Sequence, residues 1–153
     1  MVWGPCLAKA HAKASPFVFR QALYGNDQPN GQFSVVDVRD VALAHVLAME
    51  KPEANGKRFI LDGDGYHSDS LRGNVIAVND VIAKCREYFP DYQFTDAPGE
   101  NPAAIKPGFR TTDNTLSKEV LGLEYTDMGE TFKDSVSSMV DNGFVPAKPA
   151  AKL

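Results

Sequence analysis

An α/β fold is what this sequence predicts, on three observations. A β-branched run leads straight into a helix, a second short apolar strand follows that helix, and a strongly amphipathic helix lies near the carboxy end. The run is 34–38. After Asp37, apolar-side positions fall at Val38, Val41, Ala42, His45, Ala48 and Met49, which places one stripe on a helix. Asp37 is the expected N-cap, its carboxylate accepting amide protons that the first turn cannot pair, and Pro52 stands just past the helix end. The second strand is 57–61, where Phe59, Ile60 and Leu61 read as buried, closed by Asp62-Gly63-Asp64-Gly65.

Residues 66–73 are polar and read as a surface loop. Asn79 is placed to cap a helix whose stripe is Val81, Ile82, Cys85, Tyr88 and Phe89, stopped by Pro90. Residues 92–95 fit a further strand, and 97–109, rich in proline and glycine, a loop. A short helix over 117–121 ends at Gly122, the usual glycine position after a helix. The last helix runs from Met128 to about Asp141. Asp127 is its cap, Glu130 has the capping-box spacing, and Phe132, Val136, Met139 and Val140 form its buried face. Residues 1–145 read as one unit, and 146–153 as a flexible tail.

The 153 residues carry 16 Lys plus Arg against 20 Asp plus Glu, a net charge of −4, with 43% hydrophobic content. A core can be built, and neither nucleic acid nor a membrane is the expected partner. No apolar run approaches the roughly 18 residues of a membrane span. The amino-terminal residues lack the charged start of a secretory signal. Cys6 and Cys85 form no CxxC or Cys/His spacing, so a reducing, cytoplasmic setting is expected.

Spacing alone identifies no active site. No GxGxxG or GxxxxGK[ST] is present to cradle phosphate, and no GxSxG elbow carries a nucleophilic serine. Asp62 and Asp64 alternate as in a cation loop, but the further ligands such a loop requires are missing, so a turn is favoured. His11, His45 and His67 form no metal pair; His45 reads as a hydrogen-bonded, partly buried helix residue. Asp37, Arg39 and Asp40 sit where a strand becomes a helix, and either substrate binding, with Arg39 as the contact, or capping and local ion pairing explains them.

Four stretches taken in order carry a resemblance: Met1-Val-Trp-Gly-Pro5, Val35-Val-Asp-Val-Arg-Asp-Val-Ala-Leu-Ala-His-Val-Leu-Ala-Met-Glu50, Gly56-Lys-Arg-Phe-Ile-Leu61 and Asn114-Thr-Leu-Ser-Lys-Glu-Val-Leu-Gly-Leu-Glu-Tyr125. Together they resemble the carboxy-terminal half of the extended short-chain dehydrogenases/reductases, on the branch of dihydroflavonol reductase, cinnamoyl-CoA reductase and the fungal aldehyde and ketone reductases. The resemblance implies a substrate lobe joined to the last strands of an incomplete NAD(P)-binding Rossmann-type sheet, and NADP(H)-dependent reduction of a small-molecule carbonyl. The family's Gly-rich fingerprint, catalytic serine and YxxxK pair have no counterpart here. No catalytic residue is therefore assigned, and neither cofactor binding nor hydride transfer by this chain alone is expected.

Two positions carry over. Pro5 lies by resemblance near the nicotinamide end of the cleft, and Ser15, in a loop one residue longer than usual, matches a serine near cofactor phosphates or substrate. A strand terminator at Pro5 and a helix N-cap at Ser15 before Phe17 explain the same residues structurally. The resemblance also implies that Val2-Trp3 and Phe59-Ile60-Leu61 are sheet strands left with open edges. An amino-terminal half or a second copy is the partner to expect; a non-catalytic module for small molecules or proteins is the alternative. Substrate choice is assigned to 8–31 and 66–75.

Overall fold

The computed structural model describes residues 1–25, 27, 30–64, 75–99 and 112–145. Two small sheets and four α-helices form their framework. Strand β1 (Val2–Trp3) pairs in parallel with β3 (Val36–Asp37), Val2 opposite Val36 and Trp3 opposite Asp37. Strand β2 (Gln32–Ser34) pairs antiparallel with β4 (Val75–Ala77), Phe33 opposite Ile76. The expected strand over 34–38 is thus two strands in two sheets, with Val35 buried at the crossover.

Helix α1 is Phe17–Tyr24 and α2 is Val38–Glu50. No loop precedes α2, because Asp37 ends β3 and also caps the helix, accepting the Arg39 amide at 2.8 Å. The stripe read from the sequence for α2 faces outward. Met49 is 79% exposed and His45 is exposed too, its Nδ1 bonded only to the Val41 carbonyl of its own turn. Asp40 and Ala44 point inward instead. The buried Asp40 carboxylate accepts the Thr126 amide at 2.9 Å and hydroxyl at 2.7 Å, and that pairing turns the opposite face out. A helix apolar on both faces gives periodicity no means of choosing.

Helix α3 is Val78–Tyr88, and Asn79 is its second residue rather than its cap. The capping acceptors come from a distant segment: the Gly31 carbonyl takes the Val78 amide and the Asn30 side chain takes that of Asn79. The Asn79 side chain is thereby free to clamp Ala97, accepting its amide at 2.8 Å and donating to its carbonyl at 3.1 Å. A π-helical turn, Ser117–Leu121, ends at left-handed Gly122, and α4 is Met128–Asp141, capped as expected by Asp127.

Residues 57–61 join no ladder among the described residues. The bond from the Gly63 amide to the Val35 carbonyl ties the stretch to the sheets, while Phe59 and Leu61 pack on Ala44 and Leu121. Without a neighbouring strand an extended segment has nowhere to send its backbone bonds. Residues 92–95 are likewise unladdered, joined to α1 through the Thr95 amide and Ala22 carbonyl. The loops expected at 66–73 and across most of 97–109, and the tail 146–153, lie outside the described residues.

The main core forms where α1, α3 and α4 meet the sheets. Trp3, Phe19 and Phe132 contact edge-on or tilted at 5.0, 5.6 and 6.2 Å between ring centres, flanked by Val18, Ile82, Val136 and Met139. Cys85 packs there, as its stripe predicts. Among the described residues no helix is long and apolar enough to cross a membrane.

Candidate functional site

A cavity of 240 Å³ opens at the carboxy end of β1. One wall is Val2-Trp3-Gly4-Pro5-Cys6, the facing wall is Ala14-Ser15-Pro16, and His11 and Val38 complete it. Pro5 and Ser15, ten residues apart in sequence, therefore share one pocket. The Trp3 indole Nε1 donates to the Ser15 carbonyl at 2.9 Å and ties the two walls together. Ser15 does not cap α1; Pro16 occupies that position and no side chain caps it.

Gly4 explains the turn away from β1. Its φ is +137°, and a Cβ there would lie 2.7 Å from Val38 Cγ1, so only glycine lets the backbone pass. Helix α4 then holds the turn. The Ser135 hydroxyl accepts the Gly4 amide at 2.9 Å, the Ser138 hydroxyl accepts the Cys6 amide at 2.7 Å, and Asn142 donates to the Cys6 carbonyl. Sequence reasoning did not single out Ser135 and Ser138. Their signal is a small polar ridge, Thr131, Ser135 and Ser138 at helical spacing, on a helix whose other inward positions are apolar.

Beneath the pocket Asp37 is a hub with no exposed side-chain surface. Its Oδ1 accepts the Arg39 amide and Nε, and its Oδ2 accepts Arg39 Nη2 and the Thr131 hydroxyl, all between 2.7 and 2.9 Å. Burial works to raise the Asp37 pKa, but the Arg39 guanidinium and amide and the Thr131 hydroxyl outweigh it, and the carboxyl is held below its ordinary value. Arg39 Nη1 meets Asp134 on α4 at 2.7 Å, so Nε, Nη1 and Nη2 are all engaged within the chain. Arg39 does not line the pocket. Burial raises the Cys6 thiol, with Ser138 opposing it, which leaves a poor nucleophile.

The two acidic residues of the 62–64 turn are also engaged. Asp62 accepts from Thr112, its carbonyl takes the Asn114 side chain at 2.7 Å, and Asp64 pairs with Lys118, whose ammonium lies 5.8 Å from the centre of the Tyr125 ring. The expected turn runs on to residue 65, which lies outside the described residues.

The pocket tests the implied cofactor in part. Its volume falls below the roughly 300–1,000 Å³ of a full ligand site, so it can take a ring and a short substituent but no dinucleotide. The sequence has no Gly-rich loop for a diphosphate. The cavity has room for one end of a dinucleotide and not for the whole.

No family model matches the chain. It is 30% identical to cinnamoyl-CoA reductase 1 of Oryza sativa subsp. japonica over 148 residues, 95% of this chain and 40% of that one. Against cinnamoyl-CoA reductase 2 of Arabidopsis thaliana, identity is 38% over 112 residues, 72% and 30% of the two chains. The structure of Gre2 from Candida albicans in complex with NADPH superposes with a TM-score of 0.70 and 27% identity, covering 92% of this chain and 41% of Gre2. The chain thus spans about two fifths or less of these relatives. With the four sequence stretches, the mixed α/β architecture and these matches in agreement, the chain belongs to the extended short-chain dehydrogenase/reductase family.

Proposed function

We propose that this chain forms the substrate-facing part of an NADP-dependent reductase of small carbonyl compounds, and that turnover requires a nucleotide-binding half supplied with it. The observation that carries the reading is the shared pocket of Pro5 and Ser15, which the family resemblance places near the nicotinamide end of the cleft and near the cofactor phosphates or substrate, respectively. NADPH, when bound, supplies hydride to the carbonyl carbon; the oxygen takes a proton, and an alcohol and NADP⁺ result. This chain's part is to hold the ring end against the apolar wall of Trp3, Pro5 and Val38 and to exclude water there. Arg39 serves to tie α2 to α4, because Asp37 and Asp134 occupy its three side-chain nitrogens.

The need for a second half is supported by the surfaces left open. Val38, Leu43, Val46 and Met49 form an exposed apolar face on α2, and among the described residues β1 has a partner strand on one edge only. Fusing the amino-terminal part of Candida albicans Gre2 to this chain and following NADPH absorbance with a panel of aldehydes and ketones tests the reading. NADPH consumption by the fusion and by neither part alone is expected. A folded fusion with no turnover on the panel refutes it.

A further inference from the structure

Asparagine is followed by glycine at Asn30-Gly31, Asn55-Gly56 and Asn142-Gly143. The dipeptide carries a reaction of its own. The glycine amide nitrogen can attack the side-chain amide carbon before it, because the glycine has no Cβ to obstruct the approach. By sequence the three pairs are alike, and the fold makes them different.

Two of them are held. Asn30 is 6% exposed; its Oδ1 accepts the Asn79 amide at 3.2 Å, and its own amide donates to the Pro98 carbonyl at 2.9 Å. The Asn142 side chain donates to the Cys6 and Ser138 carbonyls at 3.2 and 2.8 Å. The attacking group of that pair, the Gly143 amide, donates to the Val140 carbonyl at 2.9 Å. Each pair must break such bonds before it reacts, so it does so only from a locally opened state.

Asn55-Gly56 stands apart. One 3-10 turn, Pro52–Ala54, follows α2, and the Lys57 amide then donates to the Ala54 carbonyl at 3.1 Å. Asn55, at φ −58° and ψ 131°, and Gly56, at φ +70°, are the central residues of this type II turn. Both are exposed. Among the described residues nothing hydrogen-bonds to the Asn55 side chain or the Gly56 amide, and a Cβ on Gly56 would meet no atom within 4 Å. The peptide between them can swing toward the Asn55 side chain with only the Lys57–Ala54 bond at stake.

We propose that Asn55 is a modification site, converted in the folded protein to aspartate and isoaspartate while Asn30 and Asn142 persist. The Gly56 nitrogen bonds to Asn55 Cγ, its proton passes by way of water to the side-chain nitrogen, and that nitrogen leaves as ammonia. A cyclic imide results. Water opens it at Cγ to give aspartate, or at the main-chain carbonyl to give isoaspartate. Either product adds one carboxylate and takes the net charge from −4 to −5, and isoaspartate also puts an extra carbon into the main chain. That carbon enters at the head of 57–61, whose Phe59 and Leu61 pack on Ala44 and Leu121. Ageing of one exposed turn thereby disturbs the seat of this segment against α2.

Incubation of the 153-residue chain in warm neutral buffer, native and in urea, tests the proposal. The three peptides are followed by mass spectrometry after digestion, with isoaspartate separated from aspartate by chromatography. In the native protein Asn55 should convert at least about tenfold faster than Asn30 or Asn142, and in urea the three rates should fall within about threefold of one another. Asn55→Gln should remove the fast conversion and leave the other two sites slow. An Asn55 no faster than the others in native protein, a preference that survives in urea, or aspartate without isoaspartate overturns the proposal.

Discussion

Replacing Asp37 with alanine removes four hydrogen bonds from a carboxylate that has no exposed surface. Loss of an N-cap costs about 1 kcal/mol. Removing one member of a buried ion pair costs roughly 3–5 kcal/mol. That figure needs discounting, because the Arg39 side chain is 45% exposed, can take up water and keeps Asp134, while the Thr131 hydroxyl keeps the Asp127 carbonyl at 3.2 Å. The expected net loss is about 3 kcal/mol, equivalent to a fall of roughly 6–12 °C in Tm for a chain of this size. Urea unfolding at constant m measures it. Arg39→Ala should cost about 2 kcal/mol, and the double variant should show a coupling of 1 kcal/mol or more, on the order expected for residues in one network. Asp37→Ala costing under about 1 kcal/mol, or no coupling, would refute the hub and release Arg39 for contact with substrate.

The depressed Asp37 pKa gives a further acid-limb test. A carboxyl held below its ordinary 3.8 contributes stability present above that value and lost as pH falls through the lower folded value, so Asp37→Asn should flatten the loss of stability below about pH 4. Both thiols are raised by burial, Cys85 strongly, so native protein at pH 8 should leave an aromatic disulfide reagent unreacted and urea should release two equivalents; rapid native labelling would count against the packing. Gly4→Ala should cost about 2 kcal/mol or more, with Val38 Cγ1 in the way, whereas Gly56→Ala, at φ +70° in open space, should cost only about 1 kcal/mol; equal effects on Tm would sink the steric argument.

Where an element is set by neighbours in sequence, the reading succeeds. Asp37 caps α2, Asp127 caps α4, and Gly122 turns the π-helical stretch, because each acts within a few residues of itself. It fails where a remote partner decides. Asp40 selects the buried face of α2 through Thr126, 86 residues away, and Asn30 takes from Asn79 the capping part that its position suggested. Strand β4 lies in the apolar run 75–78, whose β-branched composition is a strand signal, but its partner β2 begins 43 residues earlier. For the pocket, the resemblance supplied Pro5 and Ser15. His11 joins the pocket only because the chain folds back after Pro5 to bring it to the wall that holds Trp3.

The serine ridge of α4 binds amides of Gly4 and Cys6 across 131 and 132 residues of chain. During synthesis the pocket wall emerges well before the helix that fixes it, so the nascent β1 turn must wait, its Gly4 and Cys6 amides bonded to water, until α4 has left the ribosome. Closing so long a loop draws little extra entropy beyond a shorter one, but it makes assembly of this pocket a late event. Shortening the chain ahead of Ser135 would leave every pocket-lining residue in place and no pocket.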